Sequence, residues 1–110
     1  DAQESRGLGD VYKRQLHIRE PLSISLLSKR LGYTEYYFSH KFKDVMGKSV
    51  NNYIRQKKTE EAKLLLSGTH MSISEISDEL SFSSRSFFFS SFQKETGMSP
   101  TKYRQLYTKS

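Results

Sequence analysis

Two short runs hold the side chains of this chain that could do chemistry. In the first, Tyr36, Ser39, His40 and Lys43 recur at intervals of three and four. A helix through them sets a phenol, a hydroxyl, an imidazole and an ammonium along one face. In the second, Ser86, Ser90 and Gln93 fall on the helical face opposite Phe88 and Phe92, with Arg85 and Phe89 beside them. Such groups donate and accept hydrogen bonds and carry positive charge, which suits them to holding a polar anionic partner. The parts for bond making are missing. His17, His40 and His70 have no metal-ligand spacing, cysteine is absent, and no glycine loop of the phosphate-cradling kind occurs. We therefore expect no enzyme, and no catalytic, metal, cofactor or small-molecule site.

The elements that must position these runs are legible from apolar spacing and punctuation. Ile24, Leu27 and Leu31 predict a helix over 23–31, stopped by Gly32. Thr34 reads as the N-cap of a helix from Glu35 to Met46 that buries Phe38, Phe42 and Val45, and Gly47 ends it. Ser49 caps a long helix over 50–66 whose apolar set is Tyr53, Ile54, Ala62, Leu65 and Leu66. On that helix Lys57, Lys58 and Lys63 alternate with Glu60 and Glu61 and predict a solvated face. Ser72 and Glu75 form a capping box ahead of the next helix. An aromatic-rich helix then ends at Gly97, and Ser99 followed by Pro100 starts the last one.

These elements are two copies of one unit. Ser23, Ile24 and Ser25 match Ser72, Ile73 and Ser74 at an offset of 49, which Leu31/Leu80 and Tyr33/Phe82 keep. Beyond the turn the offset becomes 50, pairing Phe38/Phe88, Phe42/Phe92, Gly47/Gly97, Ser49/Ser99 and Tyr53/Tyr103. The duplication preserves packing residues and lets the outward ones diverge, as two readers of different surfaces would.

Bulk composition agrees with an anionic partner. The 110 residues carry a net charge of +6, and residues 1–15 contribute none of it. The surplus belongs to the rest of the chain, where it favours nucleic acid or an acidic membrane surface over a neutral partner. No apolar run approaches the roughly 18 residues of a membrane span. With no signal-peptide pattern and no cysteine, the cytoplasm is the expected compartment. A chain of this length is expected to form one compact domain. Residues 1–15 are polar and without sustained apolar period, so we expect a weakly ordered lead-in. Its GDVYKRQ portion resembles translated vector or adapter sequence, which leaves open whether the segment is native. The piece LHIRE over 16–20 reads as the last turn of a helix, stopped by Pro21.

A short helix, a tight turn and a second amphipathic helix match the helix-turn-helix unit, whose second helix enters the major groove of DNA. The residues carry a more specific resemblance. Phe82, Ser86-Phe87-Phe88, Phe92, Lys94, Gly97, Ser99-Pro100 and Tyr103-Arg104 resemble the DNA-binding domain of the AraC/XylS family of bacterial transcription regulators. So do Leu31-Gly32-Tyr33, Ser39, Phe42-Lys43, Gly47, Tyr53-Ile54 and Ala62.

The resemblance implies an all-α fold of about seven helices in which two helix-turn-helix subdomains are joined by a long linker helix. In these numbers the domain covers 16–110, with the first unit at 22–48, the linker at 50–67, the second unit at 72–98 and a final helix at 100–107. It implies a sequence-specific binder of double-stranded DNA, reading two successive major-groove segments and activating transcription through RNA polymerase, with no membrane partner. By the same resemblance Tyr36, Ser39, His40, Arg85, Ser86, Phe89 and Ser90 face base edges, and Thr34, Lys43, Ser83 and Gln93 face phosphates. Arg85 is the candidate for a bidentate guanine contact, Tyr36 for a thymine methyl and Lys43 for a phosphate. Phe89 either touches thymine methyls or packs sideways against the neighbouring unit.

Ser81, where the family prefers glycine, and Lys58-Thr59, where it prefers arginine and an aliphatic residue, depart from the pattern, as does the ground held by residues 5–18. The rival is a helical module that binds protein through the run Phe87 to Phe89.

Overall fold

The computed structural model describes residues 2–108; Asp1 of the expected lead-in and residues 109 and 110 of the expected domain lie outside that range. Seven helices and no strand are found among the described residues: α1 Ala2–Gln15, α2 Ile24–Leu31, α3 Glu35–Met46, α4 Val50–Gly68, α5 Ile73–Glu79, α6 Arg85–Thr96 and α7 Pro100–Tyr107. The chain divides into two compact units. Unit 1 takes in residues up to Ile18 and Leu22–Ile54, and unit 2 takes in Arg19–Pro21 and the residues from Arg55 onward.

In unit 1 the core is aromatic. Phe38 and Phe42 of α3 are buried with Leu27, Val50 and Tyr53. Phe42 meets Phe38 at 5.7 Å and Tyr53 at 5.6 Å between ring centroids, both edge-on, the arrangement ring quadrupoles favour. Ser23 and Thr34 cap α2 and α3 by accepting the backbone N–H three residues on. Gly32 and Gly47 take φ of 73° and 80° at the helix ends, where a Cβ would be strained. Tyr33 N donates to Ser28 O at 2.8 Å, closing the turn that aims α3.

The lead-in expectation is corrected here. Residues Ala2–Gln15 form α1, and Tyr12 is 1% exposed in the core of unit 1, 5.7 Å edge-on to Phe38 and 5.2 Å from Phe42. Leu8 and Leu16, each four residues from Tyr12, pack on the same cluster. The helix forms because this one stripe finds a core, despite the glycines inside it. The piece 16–20 is not helical: α1 ends at Gln15, and Leu16 N donates to Lys13 O at 3.3 Å as the chain turns out.

Unit 2 repeats the plan with Ile76, Leu80, Phe88 and Phe92 buried against Ala62, Leu65 and Leu66 of α4. Ser72 and Glu75 make the expected capping box, and Ser84 and Ser99 cap α6 and α7. Phe82 N donates to Ser77 O at 3.0 Å, as Tyr33 does to Ser28. Arg104 Nε donates to Leu66 O at 3.0 Å and a terminal nitrogen of its guanidinium to Thr69 O at 3.4 Å, so α7 satisfies carbonyls at the end of α4.

Lys58 corrects the expectation of a solvated lysine face. It is 6% exposed, its Nζ donates to Ser81 O at 3.4 Å and stands 5.2 Å from the centre of the Phe82 ring, and burial lowers its pKa. Thr59 is buried beside it. The pair that departs from the family pattern is therefore packed. Ser81 departs too and occupies glycine's conformation, φ 56°, the one positive φ outside glycine among the described residues. Its hydroxyl donates to Arg19 O at 2.5 Å. The Arg19 guanidinium reaches Glu61 at 2.5 Å and Glu79 at 2.7 Å, and these bonds raise its pKa.

Candidate nucleic-acid interface

The two second helices of the turn units carry the expected face residues. In unit 1, burial of Phe38 and Phe42 turns Tyr36, His40 and Lys43 of α3 to solvent, with Ser39 half-buried between them. Tyr36 is 75% exposed and its ring lies on that of His40, 4.0 Å between centroids and tilted by 32°. His40 Nδ1 is 2.9 Å from Tyr36 O. A carbonyl only accepts, so Nδ1 carries the hydrogen and Nε2 is the atom left for a partner. Thr34 Oγ1 accepts from Tyr37 N at 3.1 Å, which makes it the cap of this helix and leaves its hydroxyl hydrogen to donate outward.

In unit 2, burial of Phe88 and Phe92 exposes Arg85, Ser86, Ser90 and Gln93 of α6. Ser83 is exposed just ahead of the Ser84 cap, which accepts from Phe87 N at 3.0 Å. Apolar spacing does not mark Ser84; a serine directly ahead of Arg85 is its signal. The cap makes Arg85 the first residue of α6, so its side chain leaves from the helix start.

Phe89 is the one residue of this expected face of α6 that is not exposed. It is half-buried on the core of unit 2 and edge-on to Phe88 at 6.2 Å. Its outer side carries Arg85, whose Cζ is 5.5 Å from the ring centre. The run Phe87 to Phe89 is thus no continuous apolar patch: Phe88 is fully buried, Phe89 is covered in part, and Phe87 alone stands out, 57% exposed. The stack in α3 joins Tyr36 to His40 and that in α6 joins Arg85 to Phe89. Under the offset of 50 the second pair matches Glu35 and Ser39, so it sits one residue earlier in its helix than the first.

Both faces offer donors, aromatic edges and positive charge, with no group of His, Asp or Glu able to hold a metal among the described residues. No helix among them is long and apolar enough to cross a membrane.

Comparison with known proteins agrees with this geometry. A family model described as a helix-turn-helix domain matches residues 27–106. The HTH-type transcriptional regulator YobQ of Bacillus subtilis is 39% identical over 101 residues, which cover 92% of this chain and 42% of YobQ. The chain thus spans less than half of that relative. The regulatory protein SoxS of Salmonella typhimurium is 32% identical over 88 residues, covering 80% of this chain and 82% of SoxS. Among solved structures, the DNA-binding domain of AdpA, a global transcriptional factor crystallised with a target DNA, superposes with a TM-score of 0.81. That match covers 96% of this chain and 91% of the other at 22% identity, a likeness of fold.

Proposed function

The chain belongs to the AraC-type helix-turn-helix family of DNA-binding transcription regulators, and from that premise we propose that it reads double-stranded DNA with α3 and α6, each in a major-groove segment. We place Tyr36, Ser39, His40, Arg85, Ser86 and Ser90 against base edges, and Thr34, Lys43, Ser83 and Gln93 against phosphates. Activation of transcription through RNA polymerase, in the cytoplasm, completes the reading.

The observation that carries it is Arg85. It stands exposed at the start of α6, and none of the hydrogen bonds or ion pairs among the described residues engages its guanidinium. Its N–H donors stay available, in the planar fork that matches guanine O6 and N7. Ser86 and Ser90 on the same helix can bond either donors or acceptors of a neighbouring base.

Two measurements test it. Retardation of random duplex DNA should weaken steeply as salt rises, and no retardation at low salt would end the DNA reading. Selection from a random duplex library should return a defined site, at one pair of which Arg85→Ala costs roughly 1–3 kcal/mol of preference. An unchanged preference would reassign Arg85 to phosphate.

A further inference from the structure

We infer that Phe89 is the positioning residue for Arg85: its ring holds the guanidinium in the orientation that reads a guanine, so specificity at one base pair depends on a side chain that touches no base. This rests on the reading of α6 as a base-reading helix.

Three observations carry the inference. Phe89 is anchored on its inner side, half-buried on the core of unit 2 and edge-on to Phe88 at 6.2 Å. Arg85 lies four residues before it on the same helical face, with Cζ 5.5 Å from the ring centre. No hydrogen bond or ion pair among the described residues engages the guanidinium, so the ring restrains the side chain without consuming a donor. A carboxylate in the same place would restrain it too but would occupy the N–H groups a guanine needs. An arginine already held in its bound orientation gives up less freedom on binding, and the gain falls on the partner that suits that orientation. The arrangement is peculiar to unit 2, since the matching residues of unit 1 are Glu35 and Ser39.

The test uses the whole chain and the duplex selected by the wild type, with single-pair variants of that duplex and a random duplex as reference. Arg85→Ala identifies the pair that Arg85 reads. Phe89→Met keeps apolar bulk and removes the aromatic face. It should reduce discrimination at that pair by about two- to fivefold, the range of an exposed cation–π contact. Binding to random duplex should change less than about twofold, and Phe89→Tyr should keep the wild-type discrimination. If Phe89→Met does not fold, as melting would show, Phe89→Leu carries the same expectation.

Unchanged discrimination at the Arg85-dependent pair would overturn the inference while leaving the base-reading assignment intact. Equal weakening on selected and random duplex would overturn it as well, since that marks a structural role. If Arg85→Ala alters no pair, the base-reading assignment itself fails and this inference with it.

Discussion

Ser81 and Arg19, sixty-two residues apart, are joined by a hydrogen bond from the Ser81 hydroxyl to the Arg19 carbonyl. The same residue holds φ 56° and takes the Lys58 ammonium on its own carbonyl. One serine therefore fixes the turn ahead of α6 from both its side chain and its backbone. A left-handed conformation costs a non-glycine residue roughly 1–2 kcal/mol, and a hydrogen bond returns about 1 kcal/mol. Ser81→Ala keeps the strain and loses the bond, so it should destabilise the chain by about 1 kcal/mol. Ser81→Gly loses both and should melt within about 1 kcal/mol of the wild type. Equal losses for the two would contradict the backbone strain, and no loss in Ser81→Ala would contradict the hydroxyl bond.

Lys58 should write a pH dependence. Burial holds its pKa below the ordinary 10.5, so between the folded value and 10.5 the unfolded chain binds more protons than the folded one. Stability then rises with pH across that window. Lys58→Met should remove the rise, measured by urea unfolding at a series of alkaline pH values. The same slope in both proteins would count against a buried ammonium.

Tyr12 acts in the opposite direction. Burial first, then the nearby Tyr33 and Tyr37, push its pKa from 10.0 up to about 12. The folded chain keeps the phenol proton where the unfolded chain has lost it, so this contribution is whole below 10 and is lost as pH climbs towards about 12. The hydroxyl has no hydrogen-bond partner among the described residues. Tyr12→Phe should therefore abolish that loss and also raise neutral-pH stability by about 1 kcal/mol, the lower end of the penalty for a buried polar atom left unpaired. A lower melting temperature would show that the hydroxyl is satisfied.

Gly9 lies within α1, and a Cβ there would meet Met46 Sδ at 3.6 Å and Val45 Cγ1 at 3.7 Å, ordinary contact distances. Gly9→Ala should stabilise unit 1 by roughly 1 kcal/mol, from helix propensity and the added contact. Thermal unfolding decides it; destabilisation would mean that α1 does not pack on α3 in this register.

Lys43 is exposed on α3. As a phosphate contact, Lys43→Ala should weaken selected and random duplexes alike and lower the slope of log K against log salt by about 1. A loss confined to the selected duplex would move Lys43 to a base.

What could be read from the sequence followed local punctuation. Serine or threonine caps start α2, α3, α5 and α7, and glycine stops end α2, α3 and α6, because each acts within a few residues of chain. The face residues of α3 and α6 followed from the spacing of Phe38, Phe42, Phe88 and Phe92, which fixes what is left outside. α1 was missed because Leu8, Tyr12 and Leu16 earn a helix only by meeting Phe38 and Phe42, far along the chain, while Gly7 and Gly9 argue locally against one. Lys58 was misplaced for a related reason. Its neighbours on the helix are charged, and the Ser81 carbonyl and Phe82 ring that bury it come from beyond the next helix.

The one-residue shift between the Tyr36–His40 and Arg85–Phe89 stacks amounts to about 100° around a helix. Duplicated units with matching stacks would suit a tandem motif written twice. Here each unit would demand its own word, and turning the DNA end for end would offer each helix the wrong one. On the proposed reading of DNA by both helices, a site suited to both would have a polarity, and a single bound chain would distinguish upstream from downstream.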